Sequence, residues 1–144
     1  MQNKKALSII FLTVFIDLLG FGILIPILPT FASSQIGISD FGIGAIIGIY
    51  SLVQFLFNPI VGKFSDRVGR RPIILISLLL TVSSYIIFSF STSFLILFAS
   101  RIIAGLGGSN IGVAQAYIAD ITDKDNRAKG MGMIGAAFGL GFVF

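Results

Sequence analysis

The sequence predicts an all-α membrane protein with four transmembrane helices and the start of a fifth. Three observations carry that prediction. Apolar residues make up 56% of the 144 and charged ones 11%, against about 45–50% and about 25% in an ordinary soluble domain. So few charged side chains do not cover a water-exposed globule of this length. Uncharged stretches long enough to cross about 30 Å of hydrocarbon recur along the chain, and the basic residues fall in alternate connecting segments.

The first span is predicted over about 6–31, interrupted only by Asp17. Lys4 and Lys5 ahead of an apolar run also fit a signal peptide. The run continues through Pro26 and Pro29 without a small-residue cleavage site, which favours a retained helix. The second span is predicted over 41–62, closed by Gly62. From Pro72 to Ser100 no charge occurs. That stretch is too long for one span, and the polar Ser91-Thr92-Ser93 divides it. A third span over 72–90 and a fourth over 94–118 follow. The segment 130–144 begins a fifth and is too short to cross.

The charges test this count independently. With the N-terminus in the cytoplasm, every basic residue except Arg101 lies in a cytoplasmic segment, and the two external loops hold none. That is the asymmetry of the positive-inside rule.

Composition narrows function as well. With no cysteine, histidine or glutamate, neither a metal-ligand set nor a catalytic dyad can be assembled. No metal or cofactor is expected, and an enzyme is not. The basic residues are too few and scattered for a nucleic-acid groove. The expected partners are the lipid bilayer, a small-molecule substrate and protons.

Asp17 and Arg101 are the ionisable residues inside the spans. A charge at mid-bilayer costs about 2.5–3.5 kcal/mol or more, so each needs a partner or an aqueous cavity. Asp17 lies roughly 15 Å past the membrane edge near Leu7, at about 1.5 Å per residue. Either the two residues pair and pin their helices, or Asp17 exchanges a proton while Arg101 lines a polar cavity. Function is favoured, because intramembrane charges rarely serve packing alone.

Around Arg101, a stripe of Gly105, Gly108, Gly112 and Gln115 shares one helix face. Its glycines, with Gly20, are expected to pack helices closely. Gly44 and Gly48 read the same way. Gln115 is a cavity candidate. On the second span Tyr50, Gln54 and Asn58 share a face at i, i+4 and i+8. Cavity lining and interhelical hydrogen bonding explain that face equally well. In the segment Gly62 to Pro72, Gly69 supplies a turn and Pro72 suits a helix's first turn. Asp66 and Arg70 are spaced to pair if the segment is helical. Such charges suit a latch that changes between conformations, although a plain basic turn explains the pattern too.

Gly62, Asp66, Arg67, Gly69, Arg70 and Arg71 complete the Gly-x-x-x-Asp-Arg-x-Gly-Arg-Arg pattern, which resembles the signature of the major facilitator superfamily. Leu19-Gly20 with Pro26 and Pro29 resembles a motif of its proton-coupled drug antiporters. Arg101, Gly105 and Gly107-Gly108 resemble its Arg-x-x-x-Gly-x-Gly motif, with alanine at 104 where glutamine is frequent. Gly135 to Gly141 resembles the start of the antiporter motif.

The resemblance implies the N-terminal part of a twelve-helix fold. The chain would be a partial six-helix half, built of inverted repeats, whose C-terminal partner is absent from it. Such a fragment is expected not to transport alone. The resemblance further implies that the loop motif stabilises an outward-open state, with an arginine pairing with Asp120. It implies proton coupling at Arg101, likeness of Asp17 to a first-span acid of tetracycline efflux pumps, and cavity roles for Tyr50 and Gln54. Those pumps carry an acid before a span-three tyrosine, and here Ser84 precedes Tyr85. That departure points to the wider drug:proton antiporter group rather than to tetracycline. A proton-coupled importer of sugars or metabolites is the alternative in the same class. A non-transporting membrane scaffold is the alternative from another, and it leaves Asp17 and the complete loop motif without a reason.

Overall fold

The computed structural model describes residues 2–143, with side chains from Lys4 onward. Helix α1 runs Gln2–Phe31 and continues into a π-helical turn, Ala32–Ile36. Helices α2 (Asp40–Val68), α3 (Arg70–Ser89), α4 (Phe94–Gly107), α5 (Asn110–Ile121) and α6 (Lys124–Val143) follow. No strand occurs among the described residues. Among the described residues, four helical stretches are long and apolar enough to cross a membrane: Lys4–Ile36, Asp40–Val68, Arg70–Ser89 and Phe94–Ile121. The chain is a multi-pass, all-α membrane protein.

Several boundaries differ from the sequence expectation. The second helix does not close at Gly62 but continues to Val68. A Cβ at Gly62 would meet nothing within 4 Å, so this glycine sits in an open helix interior. The Ser65 hydroxyl bonds the Gly62 carbonyl there at 2.7 Å. The actual stop is Gly69, whose φ of 109° is a conformation that side-chain-bearing residues avoid. The charged motif is therefore mostly helix, with a one-residue corner.

The fourth span is two helices rather than one. Gly108 and Ser109 interrupt it between α4 and α5. Glycine is a poor helix former, and the Ser109 hydroxyl takes the Gly105 carbonyl at 3.2 Å. The polar divider before it behaves as expected, since α3 ends at Ser89 and Ser93 caps α4 by accepting from Ile96 N at 3.5 Å. Helix α6 starts at Lys124, six residues before the expected 130. Its first turns carry Lys124, Asp125, Arg127 and Lys129, so its apolar part alone is shorter than a span. Phe144 lies outside the described residues.

Packing follows the small residues. α4 lies against α3 and α2, and α1 lies against α6. A Cβ on Gly105 would fall 2.8 Å from the Tyr50 carbonyl, and one on Gly107 would fall 2.9 Å from the Ser77 carbonyl. Both contacts are to backbone, so neighbouring helices approach α4 as closely as glycine allows. Gly20 instead makes room for a side chain, since a Cβ there would fall 2.8 Å from the Tyr85 hydroxyl. Gly112 does neither: it is exposed, with Asn58 as its nearest neighbour at 3.9 Å.

Two apolar clusters result. One joins Ile10, Val14 and Leu18 of α1 to Ala114 and Ile118 of α5 and Ile134 and Ala137 of α6. The other joins Leu24, Leu28 and Ala32 to Ile46 of α2 and Leu97 of α4. Along α1, Asp17 sits beside Leu18, the last α1 member of the first cluster, and ahead of Leu24 in the second, and marks a polar layer at mid-helix.

Candidate functional site

A cavity of about 120 Å³ occupies that layer, and Asp17, Phe21, Tyr50, Gln54, Thr81, Tyr85, Arg101 and Gly108 are among the residues lining it. Four helices thus bring polar side chains to one space: Asp17 from α1, Tyr50 and Gln54 from α2, Thr81 and Tyr85 from α3, and Arg101 from α4. A neighbouring apolar cavity of about 250 Å³ shares Phe21, Tyr50 and Arg101 with it.

Asp17 and Arg101 share this cavity but form no ion pair. The Asp17 carboxylate instead accepts from Asn110 Nδ2 at 3.1 Å. Arg101, only 2% exposed, stacks over the Phe88 ring at 5.3 Å. Its Nε reaches the Ser100 hydroxyl at 3.5 Å, and its buried Nη2 has no hydrogen-bond partner. A buried guanidinium with an open donor beside a cavity is arranged to receive an acceptor from the cavity, since leaving that donor unmade is costly.

The break in the fourth span builds one wall. An interrupted helix leaves backbone carbonyls without their usual partners. Gln54 Nε2 donates to the Gly108 carbonyl at 2.8 Å, so α2 satisfies the break and is held to it. Tyr50 stacks on Phe21 at 5.2 Å between ring centres.

The structure does not bring every candidate into this space. Asn58 and Gln115 are exposed and absent from the cavity wall. α2 approaches closely at Gly105 and Gly108, whereas a turn further on Asn58 is 3.9 Å from where a Cβ on Gly112 of α5 would lie and is exposed. Thr81 and Tyr85 of α3 and Asn110 of α5 were not singled out from sequence. Asn110 lies off the Arg101 stripe, and its signal was a lone amide following Gly-Gly-Ser inside an apolar span. Ser84 is fully buried and donates to the Thr81 carbonyl at 2.7 Å, pointing into helix packing rather than the cavity.

The loop motif forms a second site at one end of the bundle. Arg70 contacts the Asp66 carboxylate, lies 3.1 Å from Asp120 Oδ2 through Nε, and donates to the Ser65 hydroxyl at 2.6 Å. Arg71 Nε donates to the Tyr117 hydroxyl at 2.8 Å. Gly69 makes this possible, because its corner returns Arg70 towards Asp66 and presents it to α5. Asp66 and Asp120 stay more than half exposed, so the pairs are individually weak and their number matters more. Gly62, Arg67 and Gly69 complete the motif without charge pairing of their own. Lys4 and Lys129 line a crevice at this same end. The opposite end, around Gln35 and Ser89–Thr92, carries no charge in its crevice.

The chain is 41% identical over 145 residues to the tetracycline resistance protein, class C, of Escherichia coli, which covers 99% of this chain and 37% of that protein. It is 35% identical to the class H tetracycline resistance protein of Pasteurella multocida, over 99% of this chain and 36% of that one. Major facilitator superfamily domain-containing protein 10 of Bos taurus is 35% identical over 98% of this chain and 37% of its own length. The chain spans little more than a third of the length of these relatives. The Major Facilitator Superfamily model matches residues 10–144, and on that extent of agreement the chain belongs to the major facilitator superfamily of membrane transporters.

Proposed function

We propose that this chain is the first part of a secondary active transporter that exports small drug-like compounds in exchange for protons by alternating access. The observation that carries the reading is the meeting of Asp17 and Arg101 at one mid-helix cavity without an ion pair between them. Two neutralised partners would be inert, whereas an unpaired carboxyl on a shared polar space can take up and release a proton while the permanently charged guanidinium beside it meets an acceptor from the cavity. Similarity to proteins named for tetracycline resistance supports a drug-like substrate, and export is the direction in which a transporter would lower a drug's concentration in the cell.

In this reading Asp17 and Arg101 couple the proton, and Tyr50 and Gln54 line the substrate path. Gly62, Asp66, Arg67, Gly69, Arg70, Arg71 and Asp120 form a latch that biases one conformation. Asn58 and Gln115, exposed on this chain, would meet the transporter's other half. The cavity supports an amphiphilic aromatic substrate, because Phe21, Tyr50, Tyr85, Phe138 and Phe142 surround it. Its volume of about 120 Å³ falls below the roughly 300–1,000 Å³ of a small-molecule site. Helices beyond this chain would supply the remaining wall, and 144 residues alone would not transport. The N-terminus would be cytoplasmic, in a bacterial plasma membrane.

The test is counterflow in sealed vesicles containing the transporter that includes this chain, with tetracycline and ethidium as probes. An exporter accumulates probe in inverted vesicles when the interior is made acid. Accumulation only when the gradient is reversed would mean import, and no response to either gradient would remove proton coupling.

A further inference from the structure

We infer that Asn110 is the positioning residue for the Asp17 carboxyl, presented to it by the break in the fourth span. The inference rests on the proton-exchanging role proposed for Asp17. Asn110 is 1% exposed and is the first residue of α5. Its Nδ2 donates to Asp17 Oδ2 at 3.1 Å, joining α5 to α1 across the bundle. Its Oδ1 is buried with no hydrogen-bond partner. A buried acceptor left empty is unfavourable, and an asparagine used for packing alone would fill it.

An open acceptor beside a carboxyl that changes protonation has a use. The ionised carboxyl needs a donor, and the Asn110 amide N–H supplies one. When a proton arrives from the aqueous phase, an O–H bond forms at Asp17 and the acid itself needs an acceptor. Turning the amide over brings Oδ1 to that position, so an O–H···O bond replaces the N–H···O bond. Release of the proton to the opposite phase reverses the exchange. No proton passes through the amide, and Asn110 is unchanged at the end of the cycle.

Thr81 of α3 also brings a buried hydroxyl without a hydrogen-bond partner to this cavity, and Asn110 is distinguished from it by its 3.1 Å bond to the Asp17 carboxylate. The titratable or charged groups facing the cavity with Asp17 are Tyr50 from α2, Tyr85 from α3 and Arg101 from α4, while α6 presents Phe138 and Phe142. The break itself is fixed on both sides, by Gln54 on the Gly108 carbonyl and by the Ser109 hydroxyl on the Gly105 carbonyl. The amide can therefore turn without the backbone that carries it moving.

The test compares Asn110→Leu, Asn110→Ala and Asn110→Ser in the reconstituted transporter that contains this chain, with ethidium and tetracycline as probes. Asn110→Leu keeps the volume and removes both donor and acceptor. It is expected to move the pH dependence of probe–proton exchange by about one pH unit, a tenfold change in proton affinity, with little change in the KM for probe. Asn110→Ser, which retains a donor and an acceptor, is expected to restore much of the original profile. If Asn110→Leu does not reach the membrane, Asn110→Ala gives the same reading. A profile in the Leu or Ala variant that superimposes on the parent's would overturn the positioning role and leave Asp17 untouched. Undiminished proton-driven exchange in Asp17→Asn would overturn the role of Asp17 beneath it.

Discussion

Arg70 and Asp120 lie 50 residues apart in sequence and 3.1 Å apart in space, joining the start of the third span to the end of the fourth. Because Arg70 also holds Asp66 and Ser65, one guanidinium ties α2, α3 and α5 together. Replacing it removes several charge-assisted bonds at once.

Arg70→Ala and Asp120→Asn should therefore not act independently. A double-mutant cycle on transport rate should give a coupling of about 0.5–1 kcal/mol, the range of partly exposed pairs. Arg70→Lys should behave nearly as badly as Arg70→Ala, since a single ammonium cannot reach three acceptors in a planar fork. Additive effects would mean that the pair is incidental.

Close approach at α4 makes a second prediction. Gly105→Ala and Gly107→Ala each press a methyl on backbone at 2.8–2.9 Å and should destabilise the protein by about 1–3 kcal/mol, as overpacking does. Gly112→Ala, with its nearest neighbour at 3.9 Å, should change little. Thermal unfolding of the three variants in detergent separates these cases.

Orientation is open to a direct chemical test, because the chain has no cysteine to confuse labelling. Thr92→Cys, exposed between α3 and α4, should react with a membrane-impermeant maleimide added outside intact cells. Asp125→Cys, at the start of α6, should react only after permeabilisation. The reverse pattern would put the N-terminus outside.

The spans were legible in the sequence because uncharged length and basic asymmetry are both properties of the bilayer as solvent. Helix ends were not, because they depend on local backbone chemistry. Gly62 and Gly69 look alike as letters, yet only Gly69 adopts a positive φ. Nor does hydropathy register a break within an apolar stretch, so the interruption at Gly108–Ser109 and the Asn110 it presents stayed hidden. Asp17 and Arg101 stood out, since ionisable groups in an apolar run are conspicuous. Their separation across a shared cavity needed three dimensions. Asn58 and Gln115 keep the regular helical spacing of their faces but are exposed and lie outside the wall of this cavity.

The proposed mechanism makes Asp17 the carrier of the coupled proton. It is tested most directly by imposing a pH gradient, acid inside, on inverted vesicles containing the transporter that includes this chain, and comparing the parent with Asp17→Asn. Neutral asparagine retains the shape and can still hydrogen-bond Asn110, but it cannot take up a proton. The expected result is gradient-driven accumulation of tetracycline or ethidium by the parent and its fall to background in Asp17→Asn, with equal amounts of protein in the membrane. Accumulation by Asp17→Asn at the parent's rate, with the same dependence on the gradient, would contradict that role.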